Sequence, residues 1–163
     1  MPSGKVHFQD SLVTVGVTAA LATITGADTH SSVLILSGMV VPTFLTPDTD
    51  LGGPIYGNYV LRHVRPLDLA LRGYSYIYGK MSAHRGLSHV MGVGTVLRIS
   101  LLSPVIIPVL WALREYAGID ARPDLKSFMI WMLGWLIIDA VHIIHDEVVS
   151  ANKVKSKKGL KYA

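Results

Sequence analysis

Four apolar stretches, each almost free of charge, constrain this chain more than any other feature. They cover residues 11–27, 32–45, 87–113 and 127–149, and short polar clusters separate them. Helices of soluble proteins alternate polar and apolar faces; the first two stretches show little alternation. Half of the residues are hydrophobic and 16% are charged, against about 25% in ordinary soluble domains. The pattern predicts an all-α, four-helix membrane-embedded bundle, favoured over a soluble bundle of very apolar helices. A full crossing takes about 20 apolar residues, and the charge-free run 11–27 has 17. Length therefore leaves open whether each helix spans or only embeds. The 163 residues are expected to form one membrane-associated domain, 1–163, with 151–163 as a basic tail.

Local signals place the breaks. Gly26 to Ser31 reads as a turn, with Asp28 or Ser31 available to cap the second helix. Pro42 and Pro47 end that helix, and Gly52-Gly53-Pro54 cannot continue it. In residues 55–82, Arg62, His63, Arg65, Arg72 and Lys80 alternate with Tyr56, Tyr59, Tyr74, Tyr76 and Tyr78. This composition predicts a polar Tyr/Arg-rich loop at the headgroup level, with a short interfacial helix over 64–71. Pro104 and Pro108 predict a kink in the third apolar helix.

Charge orients the layout. Four alternating helices return both termini and the Tyr/Arg region to one side. That side carries Lys5, the cations of 55–82 and the tail lysines Lys153, Lys155, Lys157, Lys158 and Lys161. The other side carries Arg114, Arg122 and Lys126. The positive-inside bias makes the first side cytoplasmic, in an inner membrane. A lysine tail after an apolar helix suits an anionic lipid surface. Nucleic-acid binding would want basic residues interleaved with aromatics on a folded surface and is not expected. Membrane lipid, and possible membrane-protein partners, are the expected neighbours. The start, Met-Pro-Ser-Gly-Lys-Val-His, shows no cleavage pattern and reads as a retained segment.

The same count of helices gathers side chains with metal-ligand chemistry on that side: His7, then Asp48 and Asp50, then His84 and His89, then His142 and Asp146. Each group has a plain alternative. Asp48 and Asp50 could cap a turn, and the His84/His89 pair could be ordinary surface. If the backbone is extended there, the two-residue spacing puts both carboxylates on one side. His89 is expected in the first turn of the third helix. Asp139, His142 and Asp146 are spaced three and four, so they line one stripe of the last helix. A charge at mid-membrane costs about 2.5–3.5 kcal/mol on insertion scales. Metal binding would offset that cost, or Arg98 could pair with Asp139. His145 falls off the stripe and reads as interfacial, while His30 and His63 read as surface. With no cysteine, any metal must be held by His and Asp. Zinc is favoured, and manganese or iron is also suited.

In order along the chain, Met-Pro-Ser-Gly-Lys-Val-His, Pro-Asp-Thr-Asp, Ala-His-Arg-Gly-Leu-Ser-His with Gly-Thr-Val-Leu-Arg, and His-Ile-Ile-His-Asp-Glu-Val-Val-Ser resemble the YdjM-like family of inner-membrane metal-dependent hydrolases. Within it they are most similar to the branch named for metal binding, common in cyanobacteria. The resemblance covers nearly the whole chain, and His-Arg-Gly-x-Ser-His is its most specific element. It implies a site like that of zinc phospholipase C, with His7, Asp48, Asp50, His84, His89, His142 and Asp146 as ligands. Many relatives have a small residue where this chain has His145. The implied function is membrane-bound, metal-dependent hydrolysis with a phosphoester as candidate substrate. It would take place at the polynuclear His/Asp metal site that the converging clusters suggest on the cytoplasmic face, with Arg85 orienting the substrate oxygen and Asp50 as base. The alternatives are a non-enzymatic metal-binding membrane protein and a small subunit of a larger membrane complex.

Overall fold

The computed structural model describes residues 4–51, 60–61, 63–81, 86–118 and 123–159. Its elements run α1 (Gly4–Thr25), α2 (Thr29–Phe44), a 3-10 turn (Pro47–Leu51), α3 (Arg65–Met81), a 3-10 turn (Leu87–His89), α4 (Val93–Ala117) and α5 (Leu125–Gly159). Local chemistry sets the ends. Gly26 takes φ 64°, a left-handed conformation that costs glycine little. Asp28 then caps α2 by accepting the Ser31 N–H at 2.8 Å. Asp124 caps α5 in the same way, accepting from Ser127 N–H at 3.0 Å and Ser127 Oγ at 2.6 Å. These bonds hold both exposed carboxyls below the usual carboxylate range: the Ser31 N–H is the main cause at Asp28, the Ser127 hydroxyl at Asp124.

Four helices are long and apolar enough to cross a membrane: Gly4–Thr25, Thr29–Thr49, Val93–Ala117 and Leu125–Asn152. Their burial pattern points the same way. The buried described residues include His7, Asp48, Thr95, Arg98, Asp139, His142 and Asp146, whereas Val13, Val17, Leu21, Ile24, Val105 and Ile107 are exposed. An apolar outside around a polar inside suits lipid as solvent. Hydroxyls without water turn to their own helix: Ser11 and Thr14 donate to the carbonyls of His7 and Asp10. α4 runs unbroken through Pro104 and Pro108. Pro104 has no N–H to offer the Ser100 carbonyl, and the Ser103 hydroxyl donates to it instead at 2.7 Å.

α2 and α5 form the most extensive helix contact, and glycine makes it possible. A Cβ on Gly38 would stand 2.0 Å from the Trp131 carbonyl oxygen, and one on Gly134 would stand 2.1 Å from that of Ile35. Only backbones without side chains approach so closely. Met39, Trp135 and Ile138 fill the rest of this seam and are fully buried. α1 packs on both α2 and α5.

The region between α2 and α4 is not a loop with one short helix. Arg65–Met81 forms a 17-residue helix, twice the expected interfacial segment, so the described chain has five α-helices. Its apolar and aromatic positions, Leu67, Leu71, Tyr74, Tyr78 and Met81, recur every three or four residues. Asp68 and Arg72 form an i,i+4 pair at 2.9 Å on another face. α3 packs on the Pro47–Leu51 turn, burying Ser75 and Tyr78. Tyr56, Tyr59 and Arg62 lie outside the described residues. α5 continues into the basic tail, as far as Gly159.

Candidate metal centre

Helix direction brings four distant segments to one end of the molecule. His7 lies in the first turn of α1, Asp48 just beyond α2, His89 just before α4, and His142 and Asp146 near the end of the apolar part of α5. The α1–α2 turn, the end of α4 and the start of α5 lie at the opposite end.

A buried Arg98–Asp139 pair holds the frame beneath the site. Arg98 donates from Nη2 to Asp139 Oδ2, from Nη1 to the Leu45 carbonyl at 2.6 Å, and from Nε to the Gly94 carbonyl at 3.2 Å. The Thr95 hydroxyl donates to the same Asp139 oxygen. Tyr74 Oη donates to the Arg98 carbonyl at 3.1 Å, and burial pushes its phenol well above the ordinary tyrosine value. The guanidinium also lies 5.8 Å from the Trp135 ring. One arginine thus ties α4 to α5 and to Leu45, the C-cap residue of α2.

Further along α5, about 5 Å from Asp139 to His142 and about 10 Å to Asp146 at 1.5 Å per residue, ligand atoms of Asp48, His89, His142 and Asp146 all lie within 4.8 Å of one another. His142 Nε2 is 3.6 Å from Asp48 Oδ1, and His89 Nε2 is 3.8 Å from both Asp48 Oδ1 and Asp146 Oδ2. These separations are too long for hydrogen bonds. They are close to the edge of a coordination polyhedron: ligands about 2.0–2.1 Å from a tetrahedral ion stand about 3.4 Å apart. Asp48 Oδ1 and both ring nitrogens of His142 are buried without a hydrogen-bond partner among the described residues. Buried polar atoms are normally paired, so this donor set fits a divalent cation. His7 stacks on His142 at 3.9 Å between ring centroids and places Nε2 3.2 Å from Asp146 Oδ1.

Of the expected ligands, His7, Asp48, His89, His142 and Asp146 therefore come together. His84 and Arg85 lie outside the described residues. Asp50 is described in its backbone alone, and the reason for pairing it with Asp48 does not hold. Pro47 opens a 3-10 turn there, fixed by Thr49 donating to the Thr46 carbonyl from N at 3.0 Å and Oγ1 at 2.6 Å. At three residues per turn, positions two apart do not share a side as they do in a strand. His89 also differs from expectation: it sits in a 3-10 turn, and α4 begins only after Gly92 at φ 81°. His145 is not a lone interfacial histidine, because its Nδ1 meets Asp10 Oδ2 at 2.5 Å. Asp10 has no place in the sequence reading. Its signal was the three-residue step from His7, matched by the step from His142 to His145.

A cleft of about 180 Å³ opens onto the site, lined by Gly86, His89, Val90, Ile143, Asp146 and Glu147. The larger groove between α2, α3 and α4, about 690 Å³, is lined by apolar residues such as Val40, Phe44, Leu71 and Leu101, together with Tyr74, and by none of the His/Asp cluster.

No protein-family model, curated protein or solved structure matches the chain. The resemblance to YdjM-like proteins stands on its motifs alone.

Proposed function

We propose that this is a membrane-bound, metal-dependent hydrolase whose ion sits among Asp48, His89, His142 and Asp146. The observation that carries the reading is the cleft reaching His89 and Asp146, two members of a group otherwise buried. A structural site closes its shell with protein ligands, whereas a catalytic site keeps an approach for water and substrate. The cleft is smaller than the roughly 300 Å³ at which drug-sized pockets begin, which suits a compact anionic group such as a phosphoester. Zinc fits the ligand types best, with manganese or iron as alternatives. When bound, the ion supplies Lewis acidity and a water activated near neutral pH. In the zinc phospholipase C-like arrangement, Arg85 orients the substrate oxygen and Asp50 is the base. The surrounding membrane is the inner membrane, with the site and both termini cytoplasmic.

The test uses full-length protein in detergent, stripped and reloaded with zinc, against chromogenic phosphomonoester and phosphodiester probes. Turnover by loaded wild type, lost on chelation and in Asp146→Ala, is expected. The burial of Asp48, His142 and Asp146 favours one rival, a metal that only braces the helices. Tight zinc binding without hydrolysis of either probe would select that rival. Orientation is tested separately by thiol labelling of intact cells. His30→Cys should react from outside and Leu160→Cys should not; the reverse pattern would invert the topology.

A further inference from the structure

We propose a second divalent-cation site at His7, Asp10 and His145, beside the first, with Asp146 shared between them. This rests on the metal-binding reading of the Asp48 group. Ligand atoms of His7, Asp10 and His145 lie within 4.8 Å of one another. Each helix supplies its residues at a three-residue step, His7 with Asp10 on α1 and His142 with His145 on α5, so each step shares one helical face. His7 is 2% exposed, and neither ring nitrogen has a hydrogen-bond partner among the described residues. A buried imidazole between two groups of carboxylates, with both nitrogens unbonded, is a donor placed for a cation.

Asp146 connects the two groups. Its Oδ1 faces His7 Nε2 at 3.2 Å, and its Oδ2 faces His89 Nε2 at 3.8 Å. One carboxylate offering an oxygen to each side is the bridge that two-metal hydrolytic sites use, with ions about 3.5–4 Å apart. The two sites differ in access. The Asp10 and His145 side chains are 33% and 29% exposed, against 5% for Asp146 and 2% for His142. With Asp10 and His145 partly exposed beside the shared Asp146, the second site is open to water on that side. The second ion is therefore the weaker and more exchangeable one. Its capture also requires the Asp10–His145 contact, now 2.5 Å, to open toward the spacing of two ligands on one ion.

The experiment measures zinc per chain by equilibrium dialysis on full-length protein in detergent, with helicity checked by circular dichroism. Wild type is expected to bind two ions, the second more weakly. Asp10→Asn with His145→Ala should bind one, and Asp10→Asn alone, the milder change, should weaken the second ion at least tenfold while leaving the first. Wild type binding one ion, unchanged in these variants, would overturn the second site and leave Asp10–His145 as a hydrogen-bonded pair. Two ions in both wild type and the double variant would overturn its placement. Wild type binding none would instead overturn the metal-binding reading beneath it.

Discussion

α5 carries two clusters of buried charge, one above the other, built on opposite rules. Around Asp139 the guanidinium of Arg98 donates in three directions, to a carboxylate and to two carbonyls. Around Asp146, carboxylates and imidazoles converge at 3.6–3.8 Å and leave Asp48 Oδ1 and the His142 nitrogens unbonded. The first cluster carries its own fixed cation, although Asp139 Oδ1 has no hydrogen-bond partner among the described residues. The second gathers His and Asp groups that could hold a metal ion. A charge enclosed in an apolar surround needs partners, and which partners it has separates a strut from a site.

The sharpest way to break the comparison is Arg98→Met. It strands Asp139 and the Leu45 carbonyl, and removing one member of a buried pair costs about 3–5 kcal/mol. Unfolding in detergent should show that loss equally with zinc and with chelator. Asp146→Ala should behave differently. It forfeits the stabilisation that binding confers, about 2.7 kcal/mol at a hundredfold excess over Kd, and the deficit should vanish in chelator. Equal deficits in both conditions would place Asp146 with the struts. Gly38→Ala probes what holds the clusters in register. Its Cβ would meet the Trp131 carbonyl, so overpacking should cost about 1–3 kcal/mol and weaken zinc binding as α2 moves from α5. The smallest effect belongs to the far end. Asp28 and Asp124 have depressed folded-state pKa values, so their contribution is present above the unfolded carboxylate value, about 3.9, and is lost as pH falls through the folded one. Both are exposed. Asp124→Ala should lower the thermal midpoint only slightly at pH 7 and not at all well below both values.

Much of this was legible in the sequence, for reasons visible at particular residues. Long charge-poor runs marked four helices because lipid-facing sides need no polar residues, and the cost of a lone charge left Asp139 to a metal or to Arg98, of which the structure shows Arg98. That His7, Asp48, His89, His142 and Asp146 share one end followed from helix count. α3 was read at half its length because its tyrosines and arginines resemble headgroup-zone composition, which hid a three-to-four-residue period. The Asp48 turn was misread because spacing-two logic assumes extended backbone, and Pro47 imposes a tighter coil. Asp10 was passed over because its partner is 135 residues away, and the matched three-residue steps from His7 and His142 gain meaning only once α1 and α5 are side by side.

That separation has a consequence in time. A ribosome delivers His7 among the first residues of the chain and Asp146 more than a hundred residues later. Until α5 enters the membrane, α1 and α2 can pair as a hairpin, yet His7 and Asp48 still lack His142, His145 and Asp146. Ion capture is then a late event, dependent on the last helix seating against Gly38. On the proposed metal reading, a chain halted before α5 would hold His7 and Asp48 and gain nothing from zinc, so metal retention would report that α1 and α5 had met.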